Sequence, residues 1–166
     1  MWAPPRRIVA RAKKTIVDER VDKDISGMLA GYREGSIDLS KLKSWLEAEK
    51  SRIEEQLPRR QLLKLRHGNE DARMRAIGQL LPSCTRCTSV GELGRFTPRQ
   101  EYDQYSRRRD ASVAAGTLRV IPPPAWTKDG PQATNAVMYH QCSTCGAIWA
   151  FGEPERADDG FWTRLA

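Results

Sequence analysis

The stretch Val137-Met-Tyr-His-Gln-Cys142-Ser-Thr-Cys145-Gly-Ala-Ile-Trp-Ala-Phe151 decides how this chain is read. Two short runs, Val137–Gln141 and Ala147–Phe151, are rich in β-branched and aromatic residues and read as strands. Between them lie two cysteines separated by two residues, a spacing that lets one turn present both sulfurs to a single ion. Gly146 follows, and a glycine there permits a left-handed backbone whose amides point back at the sulfurs. The spacing recurs at Cys84-Thr-Arg-Cys87, and the chain has no other cysteine. Two such turns supply the tetrahedral four-thiolate shell that zinc prefers.

Three other uses of the cysteines compete with this one. Disulfides require an oxidising compartment, whereas the start of the chain lacks the apolar stretch of a secretory signal, so a cytoplasmic chain with reduced thiols is expected. A redox pair of the thioredoxin kind requires a βαβ pattern, which neither pair has. Unligated buried thiols leave the doubled spacing unexplained. A closed four-thiolate shell has no position for water, so the zinc reads as structural rather than catalytic. His140 is read as an ordinary strand histidine, because four cysteines already fill the shell.

The run Tyr139-His-Gln-Cys142-Ser-Thr-Cys145-Gly-Ala-Ile-Trp149 resembles the zinc-ribbon class. The resemblance covers Cys84–Cys87 and roughly residues 137–151, and implies a small β zinc ribbon within residues 83–166. This chain departs from the pattern in two ways. The pairs are 54 residues apart, which implies an insertion over about 91–135 folded over or beside the site, and Thr88 rather than glycine follows the first pair. The motif Cys142-x-x-Cys145-Gly146-x-x-Trp149, then Glu153-Pro-Glu-Arg-Ala157 and Gly160-Phe-Trp162, also looks like C-terminal ribbons of small bacterial immunity proteins. Those bind and neutralise a cognate toxin, so this second resemblance implies a protein partner. It says nothing of residues 1–83.

Towards the N-terminus the pattern is helical. Ile8, Ala12, Ile16, Val21, Ile25, Met28 and Tyr32 recur at helical spacing over residues 6–34, and Gly35 ends the run. A second helix starts at Asp38 or Ser40 and runs to Leu57, where Pro58 ends or kinks it. Leu62, Leu63 and Leu65 continue it briefly. Asn69 caps a third helix that runs to Leu81 and stops at Pro82. Beyond the first cysteines, residues 91–116 are rich in Arg and Tyr with weak periodicity, and Tyr102 and Tyr105 mark a short helix. Thr117–Ile121 alternates like a strand, and Pro122-Pro123-Pro124 is extended. The acidic run Glu153, Glu155, Asp158, Asp159 reads as a surface loop, and Phe161-Trp162 close the chain with aromatic bulk. The expected fold is therefore α+β: a basic helical region of about three helices over residues 1–82, then the ribbon over 83–166.

The chain has 166 residues, 39% of them apolar and 30% charged, with a net charge of +7. That charge sits almost wholly in the first half, where residues 1–83 carry 18 basic and 12 acidic groups. No apolar run approaches the ~18–20 residues that cross a bilayer, so no membrane is expected as partner. No nucleophile elbow, phosphate loop or dinucleotide fingerprint is present, and an enzyme is not expected. A positive field attracts nucleic acid or an acidic protein alike. Basic groups cluster at Arg6, Arg7, Arg11, Lys13 and Lys14, at Arg59, Arg60, Lys64, Arg66, Arg73 and Arg75, and at Arg107, Arg108 and Arg109. Aromatic residues of the neutral half, Trp126, Trp149, Phe151, Phe161 and Trp162, suit either a protein interface or the small ribbon core; Trp149 reads as core, and Trp126 and Trp162 stay open between the two. The expectation is a non-enzymatic, zinc-stabilised protein that binds a protein partner, with Arg59, Arg60, Arg66, Arg107, Arg108, Arg109, Trp126 and Trp162 as candidate contacts. Nucleic-acid binding by the basic helical half is the alternative. Nothing in the chain sets its oligomeric state.

Overall fold

The computed structural model describes residues 21–91, 94–96, 99–127, 137–154 and 159–166. The basic arm at residues 6–14, and the start of the helix expected from residue 6, lie outside them. Among the described residues there are seven α-helices and one five-stranded antiparallel sheet. The α+β class and the helices-first order are as expected, but the helical region holds more than three helices.

Helix α1 (Lys23–Glu34) is capped by Asp22, whose side chain accepts from the Asp24 amide, and ends at Gly35 with φ 80°. Asp38 caps α2 (Leu39–Ala48) through the Lys41 amide, a contact worth about 1 kcal/mol in such caps. The expected long second helix is divided. It breaks at Glu49, where φ −99° and ψ 22° depart from helical values, and resumes as α3 (Lys50–Gln56). Leu57 is extended, as a residue before proline must be, so Pro58 opens a separate α4 (Arg59–His67) instead of kinking the previous helix. Asn69 caps α5 (Glu70–Leu80) through the Ala72 amide. A short α6 (Thr85–Thr88) lies within the first cysteine pair. The Arg- and Tyr-rich stretch forms a full helix, α7 (Arg99–Ala114), longer than its weak periodicity suggests.

The sheet runs in the order β1 (Gly94–Arg95), β5 (Phe161–Arg164), β4 (Ile148–Gly152), β3 (Val137–Cys142), β2 (Leu118–Ile121). Strand β2 falls where alternation places it, and β3 and β4 fall where their β-branched and aromatic composition places them. Strand β5, whose local signal is aromatic bulk alone, lies inside the sheet and pairs Trp162 with Phe151. Strand β1 is only two residues long and has no sequence signal of its own. Both β1 and β2, with α7, come from the stretch expected to be an insertion, and the sheet has three strands without them.

Alternate residues of β4 feed two cores. Ile148 and Ala150 face the helical bundle, where Ile25, Leu29, Leu42, Leu46, Ile53, Leu65 and Ile77 are fully buried. Trp149 and Phe151 face the other way, into an aromatic cluster with Phe96, Trp162 and, from α7, Tyr102 and Tyr105. A strand buried on both faces explains why β4 is continuously apolar. The architecture is thus three layers: bundle, sheet, α7.

Candidate metal centre

The first cysteine pair stands at the start of α6, and the second at the end of β3 and the turn into β4. The two turns solve the same problem differently. After Cys145 the chain must reverse at once into β4, and Gly146 does so with φ 72°. The Thr144 amide donates to Cys142 Sγ at 3.4 Å, and the Gly146 amide to the Cys142 carbonyl. The first pair is wound on a helical turn instead. The Thr88 hydroxyl donates to the Cys84 carbonyl at 3.2 Å, so no left-handed residue is required there.

Strand pairing then brings the two turns together. The four sulfurs lie within 4.8 Å of one another. Cys84 Sγ is 3.5 Å from Cys142 Sγ and 3.7 Å from Cys87 Sγ, and Cys87 Sγ is 3.7 Å from Cys145 Sγ. A tetrahedral ion with metal–sulfur bonds near 2.3 Å requires sulfur–sulfur edges of roughly 3.8 Å. A disulfide requires about 2.05 Å, and all four cysteines are free. The residues therefore fit a metal ion. Cys87 and Cys142 are buried, Cys84 and Cys145 partly so.

Without a cation the two buried thiols, Cys87 and Cys142, resist ionisation. Burial pushes the Cys87 thiol well up, and the nearby Cys145 and Cys142 sulfurs push it further. Burial also raises Cys142. At Cys84 burial raises the thiol too, but hydrogen bonds from the Cys87 backbone and the other sulfurs outweigh it and bring the value down to about 7. A bound divalent cation inverts this balance and deprotonates the thiols. His140 lies on β3 with its ring 5.8 Å from that of Trp162, outside the sulfur cluster. Burial, and then Arg109, hold its imidazole down at about 4.

Two arginines with no signal in the sequence hold this centre. Arg33, in the last turn of α1, donates to the carbonyl of Cys145. Arg164 of β5 donates to the Ser83 hydroxyl, next to Cys84, and to the Gly78 carbonyl.

The candidate partner-binding residues divide sharply. Trp162 is fully buried, stacked on Trp149 with centroids 5.1 Å apart and planes 7° apart, and its indole N–H donates to the Gly91 carbonyl. Placing it on a docking surface was wrong: its strand turns it into the aromatic core. Arg109 is likewise buried, its guanidinium 4.2 Å from the Phe151 centroid and paired with Asp110. Trp126 is half-buried against the bundle core. Arg66 is engaged by Glu54 at 3.0 Å and Glu47 at 3.6 Å. Arg59 and Arg60 are exposed on α4, and Arg107 and Arg108 on α7. The two exposed clusters lie on helices packed against opposite faces of the sheet, so they do not form one groove.

No family model, no curated protein and no solved structure matches this chain. Its functional reading rests on its own residues.

Proposed function

We propose that this chain is a non-enzymatic interaction protein, stabilised by a structural zinc ion on Cys84, Cys87, Cys142 and Cys145, that binds a protein partner. A four-thiolate shell of the zinc-ribbon kind has no open position for a substrate, so the metal serves the fold. The observation that carries the binding reading is the outer face of α4. This helix has no acidic residue, and Arg59, Arg60, Lys64 and His67 have no ion-pair partner among the described residues. Leu63, 49% exposed, stands among them. Its helical neighbours at three and four residues are Arg59, Arg60, Arg66 and His67. An apolar side chain flanked by the exposed Arg59 and Arg60 suits a protein surface that offers acidic and apolar groups together. A phosphate backbone offers only charge. A toxin of the kind neutralised by immunity proteins is one such partner, on the resemblance at residues 142–162.

Nucleic-acid binding is the second reading, favoured by the exposed cations of α4 and α7. One experiment separates the two. The tagged full-length protein is isolated from its own cells, and the purified protein is titrated with a DNA duplex and a single-stranded RNA at ~150 mM salt, where phosphate-driven binding is already weakened. A single stoichiometric protein, lost when Arg59→Glu and Arg60→Glu are combined or when Leu63→Asp is introduced, supports the proposal. Tight, steeply salt-dependent binding to either nucleic acid without such a partner overturns it.

A further inference from the structure

We propose that Arg33 and Arg164 complete the metal centre from outside the cysteines, and that Arg33 couples metal binding to the docking of α1 on the sheet. The inference rests on reading the four cysteines as a metal site. It concerns the helical layer, which contributes no ligand to that site.

Charge is the first argument. Four thiolates and one divalent cation leave two negative charges in a largely buried cluster, and a buried charge is costly unless a partner faces it. Arg33 comes from α1 and Arg164 from β5, and each donates to a group in or next to one of the cysteine turns. Glu34, on the exposed rim, attracts Arg33. A dianionic centre and two arginines held at its two cysteine turns supply each other's counter-charge.

Geometry is the second argument. Each arginine grips one cysteine turn: Arg33 holds the Cys145 carbonyl, and Arg164 holds Ser83 beside Cys84. Groups that orient metal ligands in this way are part of a site's design. Arg33 spans 112 residues of sequence to reach its acceptor, so the bond ties the bundle to the turn between β3 and β4. Its Nε is buried without a hydrogen-bond partner in the structure, which leaves a donor for a charged sulfur. Gly146 makes room for the approach. A Cβ there would lie 3.1 Å from Arg33 Nη2, so the glycine that turns the knuckle also admits the arginine.

The test uses the full-length protein and zinc itself. Zinc affinity is measured by competition with a chromophoric chelator for the native chain and for Arg33→Gln, Arg33→Lys, Arg164→Gln and Arg52→Gln. Arg52 pairs with Asp22 and Asp24 at the far end of α1 and with Glu49, away from the cysteines, and serves as control for zinc affinity, not for α1 exchange. Cobalt absorption reports whether each variant still forms a four-sulfur site, and hydrogen exchange over residues 23–34 reports the docking of α1. Arg33→Gln is expected to weaken zinc binding by about 10–100-fold, with partial recovery in Arg33→Lys and about twofold change or less in Arg52→Gln. Stripping zinc from the native chain is expected to speed exchange in α1, and Arg33→Gln to show fast exchange even when loaded. Where Arg33→Gln does not fold, Arg33→Lys and Arg164→Gln carry the comparison. Zinc affinity within about twofold of native in the Arg33 and Arg164 variants overturns the proposal, as does α1 exchange that ignores the metal. A native chain that binds no zinc at all sinks the metal reading itself, an outcome distinct from these.

Discussion

The two sides of the sheet are made of different material. Towards the bundle the core is aliphatic, closed by Ile25, Leu29, Leu42, Leu46 and Ile77 from helices that also carry their own caps. Towards α7 it is aromatic, and Cys87 and Cys142 belong to it. The aliphatic side is held by area removed from water, at roughly 25 cal/mol per Å². The aromatic side ends in a cluster of sulfurs that repel further ionisation until a cation binds. One fold thus combines a core that stands on burial with a core that ends in four cysteines able to hold a metal ion, and the sheet is their common wall.

Removing the metal breaks this comparison most severely. Structural zinc contributes about 10–16 kcal/mol in small metal-folded domains. Chelation, or Cys142→Ser, is expected to abolish the near-ultraviolet dichroism of the stacked Trp149 and Trp162 while the far-ultraviolet helical signal largely persists. Loss of both signals together would show one core, not two. Acid acts on the same side. Protons compete with the metal for the sulfurs, so bound metal and aromatic-side stability are full at neutral pH and lost as pH falls. Metal release followed against pH, beside the two dichroism signals, checks this.

Leu46→Ala, at a fully buried bundle position, is expected to cost about 2–5 kcal/mol in the helical transition, equally with and without chelator. A cost seen only in the loaded protein would join the two cores. Gly146→Ala places a side chain at φ 72° and is expected to cost about 1–2 kcal/mol, with weaker zinc retention in a chelator competition. Arg109→Met removes the cation over Phe151 and is expected to cost about 0.5–2 kcal/mol, in the aromatic transition alone. Arg59→Glu with Arg60→Glu should move thermal stability by no more than about 0.5 kcal/mol while abolishing partner binding, the smallest effect on the fold.

Much of this arrangement is legible from local chemistry. The caps Asp38 and Asn69, the stop at Gly35 and the breaks at Pro58 and Pro82 act within a few residues of themselves. Strands β3 and β4 announce themselves by composition on either side of Cys142 and Cys145. Strand β5 does not. Four residues behind an acidic stretch of sequence carry too little pattern, and its place in the sheet depends on a pairing with β4 that no local signal records. The same holds for α7, whose polar face outweighs the few residues, Tyr102, Tyr105 and Val113, that it packs on the sheet. The split of the second helix at Glu49 leaves its apolar spacing almost intact, so periodicity alone runs straight through it.

The sequence by itself determined that four cysteines form two pairs of matched spacing, that Gly146 reverses the chain after one of them, and that helices precede strands. Those features follow from covalent spacing and from backbone preferences of single residues. Only the tertiary structure decided that the two turns meet, with three sulfur–sulfur distances of 3.5 to 3.7 Å. It also decided that Trp162 is core rather than surface, that the basic clusters of α4 and α7 face apart, and that Arg33 reaches across from the bundle to Cys145. Each of these depends on which face of an element its neighbours bury, and that is settled by contacts between residues far apart in the chain.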